Sequence, residues 1–119
     1  MKPELQNGDV VLVTFPFTDL AGTKLRPAVI ISSEEVHQKE GDYTLLFISS
    51  VIPDSPEKYE FIFPESHSDF RKSGLKKESV FKANKITTLQ KQLIQRKLGV
   101  LGEEVRAELR KIFQHALRI

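Results

Sequence analysis

Residues 22–32 read GTKLRPAVIIS, and this stretch decides the fold. The apolar run at 28–31 has the length and composition of a buried β-strand, with turn or polar residues on both sides. Arg26 stands at the start of that strand, and Pro27 biases its backbone toward an extended conformation. The sequence therefore predicts a charged side chain held at a fixed place on a rigid element, as a precise binding site requires.

The segments around this strand predict further short strands separated by turn signals. Residues 9–15, DVVLVTF, predict a Val-rich strand that Pro16 ends, and residues 17–25 predict a loop. Residues 33–42 predict a polar connection with a Gly-Asp turn and an exposed His37. Four more segments predict strands: 43–48, 59–63, 79–82 and 93–98.

The C-terminal region predicts one amphipathic helix, which begins after Gly102. Glu103 and Glu104 in its first turn suit the helix dipole. Its apolar residues recur on one helical face: Val105, Leu109, Ile112, Phe113, Ala116 and Leu117. Short strands closed by one such helix favour a mainly β fold, a small and strongly curved antiparallel sheet or barrel with the helix packed on one side.

The bulk composition limits the class of protein. The 119 residues predict a single domain covering residues 1–119, and 39% hydrophobic with 29% charged residues is ordinary for a globular chain. Cysteine is absent, which excludes disulfides and thiol chemistry. No apolar run approaches the roughly 18 residues that span a bilayer, and the N-terminal segment lacks the apolar region of a secretory signal. We therefore expect a cytoplasmic protein without a membrane partner.

Charge is distributed unevenly along the chain, although the formal net charge is only +2. Residues 34–69 contain nine acidic and two basic residues, whereas residues 71–97 contain nine basic residues and one acidic residue. A basic block of this kind is typical of a surface that binds a polyanion, and also of a solvated lysine-rich surface. Both interpretations stay open on charge alone.

Motifs of the common cofactor and metal sites are absent from the sequence. The chain has no G-x-G-x-x-G and no G-x-x-x-x-G-K-[ST] loop that would hold phosphates. His37, His67 and His115 are scattered, and none has a second His or a Cys at ligand spacing. We therefore predict no metal and no cofactor.

One pair of residues does suggest chemistry. Arg26 is predicted at the start of one core strand and Ser49 at the end of another. An arginine fork matches phosphate oxygens, and a serine hydroxyl can both donate and accept a hydrogen bond. The two residues can therefore form a phosphate clamp if the strands bring them together. Equally, the arginine can be solvated, and Ser49 and Ser50 can simply open a turn.

The same residues carry a resemblance to a known family. NGDVVLVTFPFTD at 7–19, LRPAVIIS at 25–32, LLFISS at 45–50 and SVFKANKITTL at 79–89 resemble the MazF/PemK toxins of bacterial type II toxin–antitoxin pairs. The resemblance covers nearly the whole chain. It implies a small SH3-like antiparallel β-barrel with helices, a homodimer, and a small antitoxin protein as partner. It also implies a metal-independent, sequence-specific endoribonuclease that cleaves single-stranded RNA, often mRNA.

The resemblance further implies roles for individual residues. Arg26 and Ser49 match the arginine and the hydroxyl residue at the centre of the family's catalytic site. Since the 2′-hydroxyl of RNA is the nucleophile, the protein has to position the phosphate, stabilise its developing charge and move protons. Asn84 stands where other members carry an acidic residue, so the general base is unassigned. Asp19, the one carboxylate in the first loop, is the candidate.

RNA contacts are predicted around this centre. Phe17 in the first loop can stack on a base, unless it is buried in the rim of the barrel. The other RNA-binding candidates are Lys24, Ser50, Lys82, Asn84 and Lys85, of which the lysines would contact phosphates. Val51 stands where some members carry a glutamine, so we expect different substrate contacts there.

Two other functions remain compatible with the sequence. One is a binding module of this fold that has lost catalysis, since the acidic partner of the family site is missing. The other is a toxin of the related CcdB group, which poisons DNA gyrase through its C-terminal end. The C-terminal segment FQHALRI continues the amphipathic helix, and this favours the nuclease group.

Overall fold

A six-stranded antiparallel sheet forms the centre of the computed structural model, which describes residues 5–19 and 22–119, with the backbone alone at 15–19, 22 and 23. The strands are β1 (Asp9–Asp19), β2 (Gly22–Ile30), β3 (Asp42–Ser49), β4 (Glu60–Phe63), β5 (Ser79–Gln90) and β6 (Ile94–Val100). Their order across the sheet is β4-β5-β3-β2-β1-β6. The predicted mainly β, antiparallel fold is confirmed. In one detail it differs, because β4 and β6 remain edges and the described strands do not close a full barrel.

Alternating side chains of the strands bury two apolar clusters, one on each face of the sheet. Val10 pairs with Val29, and both lie in the first cluster. The next residues, Val11 and Ala28, pair with each other and lie in the second cluster. All four side chains are at most 1% exposed. Burial on both faces explains why the central strands read as continuous apolar runs rather than as alternating patterns.

The described residues form three α-helices beside the sheet, α1 (Glu34–Glu40), α2 (Phe70–Ser73) and α3 (Glu103–Ala116), and a short 3-10 helix at Lys91–Leu93. α3 confirms the predicted C-terminal helix, and it covers the first apolar cluster with Val105, Leu109 and Ile112. Leu117, predicted on the same face, is 59% exposed because the helix ends before it. None of the helices in the described ranges has the length and apolar composition of a membrane span.

The hairpin of β1 and β2 extends further than the sequence predicts. β1 continues to Asp19 and β2 begins at Gly22, so the predicted loop over residues 17–25 is wrong. Pro16 does not end β1, because it lies within a register shift between Phe15 and Asp19. Proline has no N–H to donate, and strands tolerate it at irregularities of this kind.

α1 occupies the segment predicted as a polar connection. Ser33 caps its first turn, and Gly41 ends it with a φ of 74°, a conformation that glycine adopts without steric cost. His37, predicted to be exposed, is only 8% exposed. Its ring packs against Tyr43 with the centroids 4.1 Å apart, and its Nε2 lies 2.6 Å from the hydroxyl of Ser32. The predicted exposure is wrong because α1 folds back onto β3.

β5 is the longest of the described strands and lies between β4 and β3. It has 12 residues and continues well beyond the predicted strand at 79–82. Residues 79–82 of β5 pair with β4. On its other side, β5 pairs with β3 through Val80 and Phe81 and again through residues 86–90. The short polar residues after position 82 hide this strand from the apolar pattern, since much of its second half is exposed.

Candidate active site

Arg26 and Ser49 lie on the neighbouring strands β2 and β3 and line the same pocket. β2 and β3 pair antiparallel, with Ala28 opposite Phe47. Continuing this register by two residues on each strand places Arg26 opposite Ser49. Arg26 therefore lies inside β2 rather than at its start, and Ser49 is the last residue of β3 as predicted.

Both residues line one pocket of about 500 Å³. This pocket, called the cationic pocket below, lies where β2, β3 and β6 meet the segment that connects α2 to β5. Its volume is within the range of about 300–1,000 Å³ that is typical of ligand sites. The apolar part of its wall includes Leu12, Pro27, Ile48, Leu75 and Leu98.

Five basic side chains line the cationic pocket: Lys24, Arg26, Lys76, Lys77 and Arg96. No aspartate or glutamate is among its described lining residues. A pocket walled by charges of one sign focuses its field and attracts ligands of the opposite sign. Because arginine and lysine are the usual partners of phosphate oxygens, the pocket is suited to a phosphate-containing ligand.

The hydroxyl of Ser49 has a defined orientation. Its oxygen accepts a hydrogen bond from the backbone N–H of Val51, with an N···O distance of 3.1 Å. The hydroxyl hydrogen is not used in that bond, so Ser49 can donate it to a ligand oxygen. Val51 and Leu25 form an apolar lip of the pocket, with exposed fractions of 77% and 58%.

The other predicted site residues fall into three groups. Lys24 and Ser50 line the cationic pocket together with Arg26 and Ser49. Three residues of β5 do not line it: Lys82, Asn84 and Lys85. The Lys82 ammonium lies 3.6 Å from the carboxylate of Glu60. Two further candidates, Phe17 and Asp19, have side chains outside the described residues.

Three pocket residues were not singled out from sequence. Lys76, Lys77 and Arg96 belong to the basic block at 71–97, which the sequence marks only as a region of excess charge. No local motif marks these three, because the fold brings them to the pocket from two separate segments. The excess of positive charge was the one signal available, and it does not distinguish them from the other basic residues of the block.

A Ser-His-Glu arrangement lies elsewhere, between α1 and β3. The Ser32 oxygen lies 2.6 Å from His37 Nε2, and His37 Nδ1 lies 3.8 Å from the carboxylate of Glu34. Ser32 also accepts the backbone N–H of Thr44 at 3.0 Å, and it is 8% exposed. Because both Ser32 and His37 are buried, this group fixes α1 on the sheet and has no access to a substrate.

One cluster of possible metal ligands occurs among the described residues. His67, Asp69 and Glu104 have ligand atoms within 4.8 Å of one another. His67 Nδ1 accepts the backbone N–H of Asp69 at 3.0 Å, and Lys72 lies 3.4 Å from the Asp69 carboxylate. The imidazole of a metal-bound histidine usually donates its second nitrogen to an acceptor, which is the reverse of this geometry. The cluster does not line the cationic pocket.

The sequence matches one family model. The model describes PemK-like, MazF-like toxins of type II toxin–antitoxin systems, and it matches residues 6–117. No curated protein matches the chain. The family match includes all the residues that line the cationic pocket.

Solved structures share the fold at low sequence identity. An endoribonuclease in complex with its cognate antitoxin, from a mycobacterial species, has a TM-score of 0.72 and 18% identity, covering 95% of this chain and 94% of its own. The Mycobacterium tuberculosis toxin MazF-mt6 has a TM-score of 0.70 and 18% identity, covering 91% and 94%. A MazE–MazF structure from Deinococcus radiodurans has a TM-score of 0.66 and 22% identity, covering 89% of each chain. At these identities the likeness shows a common fold.

Proposed function

The chain belongs to the family of PemK-like, MazF-like toxins of type II toxin–antitoxin systems, and from this we propose that it is a metal-independent, sequence-specific endoribonuclease that cleaves single-stranded RNA. The observation that carries the proposal is that Arg26 and Ser49 line one pocket with basic walls. A phosphodiester of RNA is the ligand that this combination of an arginine fork, a hydroxyl donor and positive field fits best.

In the proposed reaction the RNA supplies its own nucleophile. The 2′-hydroxyl oxygen attacks the adjacent phosphorus, and the bond from phosphorus to the 5′-oxygen breaks. The proton of the 2′-hydroxyl goes to a general base, and the leaving 5′-oxygen takes up a proton. The products are a 2′,3′-cyclic phosphate and a 5′-hydroxyl end.

Arg26 and Ser49 have distinct roles in this reaction. The Arg26 guanidinium binds non-bridging oxygens of the scissile phosphate, and this interaction strengthens as negative charge builds on those oxygens. Ser49 donates its hydroxyl hydrogen to the phosphate and thereby fixes the phosphate for in-line attack. Asp19 is the proposed general base, and Phe17 is the proposed stacking residue, both in the hairpin of β1 and β2.

We also propose a homodimer and a small antitoxin protein as partner. Solved structures of similar fold contain an endoribonuclease with its cognate antitoxin and MazF with MazE, which supports the antitoxin as partner. Induction of the protein in bacteria should arrest growth, and co-expression of the antitoxin should relieve the arrest.

The decisive experiment compares wild type with Arg26→Ala on long single-stranded RNA in the presence of EDTA. We expect wild type to cut without added metal and to leave 5′-hydroxyl ends, which mapping of the 5′ ends would detect. Arg26→Ala should lower kcat/KM by about 10²–10³-fold, because it removes the main stabiliser of charge on the phosphate. Arg26→Lys should also lose most activity, since a lysine keeps the charge but not the fork.

Arg71→Ala is the matched control, because Arg71 is exposed and does not line the cationic pocket. Its activity should equal that of wild type. Cleavage by Arg26→Ala at the wild-type rate would overturn the proposal. Circular dichroism and thermal unfolding of each variant show whether a loss of activity reflects a loss of fold.

A non-catalytic binding module is the second candidate function. One observation favours it: no aspartate, glutamate or histidine is among the described residues that line the cationic pocket, so the described residues supply no conventional base there. This function predicts that wild type binds long single-stranded RNA and cuts none of it. A parallel DNA gyrase supercoiling assay tests the CcdB-like alternative, and we expect no inhibition in it.

A further inference from the structure

The cationic pocket holds more positive charge than one phosphate requires. A phosphodiester carries a single negative charge, and in the proposed function Arg26 neutralises it. Lys76, Lys77 and Arg96 line the same pocket. No carboxylate among the described residues forms an ion pair with any of these three. Their charges are therefore available to a ligand.

We propose that Lys76, Lys77 and Arg96 form a second phosphate subsite of the cationic pocket. This subsite holds the phosphate of a nucleotide that neighbours the scissile one in single-stranded RNA. The inference rests on the proposed function for the identity of the polyanion, but its contacts are independent of Arg26 and Ser49. Phosphate contacts of this kind fix the position of a nucleic acid without reading its sequence.

The segment that carries the two lysines is held in place by serine hydroxyls at both of its ends. Ser73 donates its hydroxyl to the carbonyl of Phe70 at 2.6 Å and accepts the N–H of Leu75 at 3.2 Å. Ser79 donates its hydroxyl to the carbonyl of Lys77 at 2.8 Å. Ser73 and Ser79 are 0% and 4% exposed. A lysine pair on a fixed segment loses less entropy on binding than one on a free loop.

Two glycines bring this segment against β6, the strand that carries Arg96. Gly74 has a φ of 75°, and a side chain at this position would overlap the backbone carbonyl of Leu98. A side chain at Gly99 would overlap the backbone of Lys72 and Ser73. The two backbones can approach this closely only because neither position has a Cβ. The contact therefore sets the place of Lys76 and Lys77 relative to β6.

Neighbouring lysines with a structural role look different. Lys72, just before the segment, pairs with Asp69 at 3.4 Å. Lys97, the residue after Arg96, pairs with the buried Asp9 at 3.2 Å. These two lysines have carboxylate partners, whereas Lys76, Lys77 and Arg96 have none in the part of the chain that the structure describes. Because the three side chains also converge on one pocket, the contrast favours a ligand site over a merely solvated surface.

The test uses a fluorescein-labelled 2′-O-methyl RNA 12-mer, which lacks the free 2′-hydroxyl and so cannot be cut by the proposed mechanism. Its Kd is measured by fluorescence anisotropy between 0.05 and 0.2 M NaCl. For single strands the slope of log K against log salt is about −0.7 per phosphate contact. We expect Lys76→Ala/Lys77→Ala to weaken binding at least about tenfold at 0.1 M salt and to reduce the slope by about 1.4.

Three further variants sharpen the test. Lys58→Ala/Lys91→Ala removes the same charge from exposed lysines outside the pocket and should change Kd less than about twofold. Lys76→Arg/Lys77→Arg keeps the charge and should restore the wild-type slope. Arg96→Gln should reduce the slope by about 0.7, and it tests the subsite separately if the double lysine variant is misfolded.

The outcomes separate this inference from the proposed function. The subsite would be overturned if its variants, Lys76→Ala/Lys77→Ala and Arg96→Gln, had the same Kd and salt slope as the Lys58→Ala/Lys91→Ala control. This holds whether or not wild type cuts RNA. A wild type that does not bind the 12-mer at 0.05 M salt would overturn it as well. If the slopes fall as expected but wild type cuts no RNA, the subsite holds and the proposed catalysis fails.

Discussion

Lysines from one basic stretch of sequence, residues 71–97, lie in two different settings. Lys76 and Lys77 line the cationic pocket. Three others form ion pairs with carboxylates: Lys72 with Asp69, Lys82 with Glu60, and Lys97 with Asp9. Two of these acids belong to the acidic block at 34–69, so the two blocks neutralise each other in part within one chain. The surface available to a polyanion is therefore narrower than the charge pattern of the sequence indicates.

On the paired side, the largest effect is expected at Asp9. Its side chain is buried, accepts the backbone N–H of Gln6 at 2.8 Å and pairs with Lys97 at 3.2 Å. Asp9→Ala leaves both partners without an acceptor, so we expect the free energy of unfolding to fall by about 2–3 kcal/mol. Urea denaturation measures the change.

Lys111→Ala is the control for Asp9→Ala. Its ion pair with Glu108, at 3.2 Å, is on the exposed side of α3, where the Lys111 side chain is 70% exposed. Such pairs contribute little, so we expect a change below about 0.5 kcal/mol. A similarly small loss for Asp9→Ala would contradict the view that the paired lysines serve the fold.

A smaller effect is expected on the pocket side, at Ser49. Ser49→Ala removes the donor that fixes the scissile phosphate, so we expect kcat/KM for RNA cleavage to fall about tenfold, or about 1.4 kcal/mol. Ser49→Thr keeps the hydroxyl and should stay within about threefold of wild type. Initial rates on one RNA substrate compare the variants.

Ser55→Ala is the matched control, because Ser55 is exposed and does not line the cationic pocket. Its cleavage rate should equal that of wild type. If Ser49→Ala also cuts RNA at the wild-type rate, the hydroxyl has no part in holding the phosphate, and the clamp would consist of basic side chains alone.

Much of the fold could be predicted because local patterns determine it. The apolar runs of β2 and β3 and the helical face of α3 depend on burial alone, and these elements are confirmed. α1 was missed although Ser33 and Gly41 are ordinary capping residues, because its sequence is polar and its burial depends on His37. The extension of β1 past Pro16 was missed because a register shift, which leaves no sequence signal, accommodates the proline.

The candidate site could be predicted only in part, because some of its residues reach the pocket through a tertiary contact. Arg26 and Ser49 belong to adjacent strands that the apolar runs of the sequence predict, and both line the same pocket. Lys76, Lys77 and Arg96 reach the pocket through a tertiary contact between the α2–β5 segment and β6. That contact depends on two glycines far apart in sequence, and no local pattern connects them.

The smallest effect is expected at Lys82. Its paired ammonium can be compared directly with the pocket lysines Lys76 and Lys77 by RNA binding. Its ammonium lies 3.6 Å from Glu60, whose side chain is only 8% exposed. RNA has to compete with this carboxylate, so we expect Lys82→Ala to weaken binding of the 2′-O-methyl 12-mer by no more than about threefold. This is clearly less than the effect expected for the lysines of the subsite.

Glu60→Gln separates the charge of Lys82 from its pairing. The glutamine keeps the shape of the side chain and its acceptor for the backbone N–H of Glu57, which Glu60 binds at 2.9 Å. It releases the ammonium, so we expect RNA affinity to rise by up to about threefold and the salt slope to steepen by up to about 0.7. If instead Lys82→Ala weakens binding as much as Lys76→Ala/Lys77→Ala does, then an ion pair with a buried carboxylate does not withhold a lysine from RNA. The RNA path would in that case continue from the cationic pocket along β5.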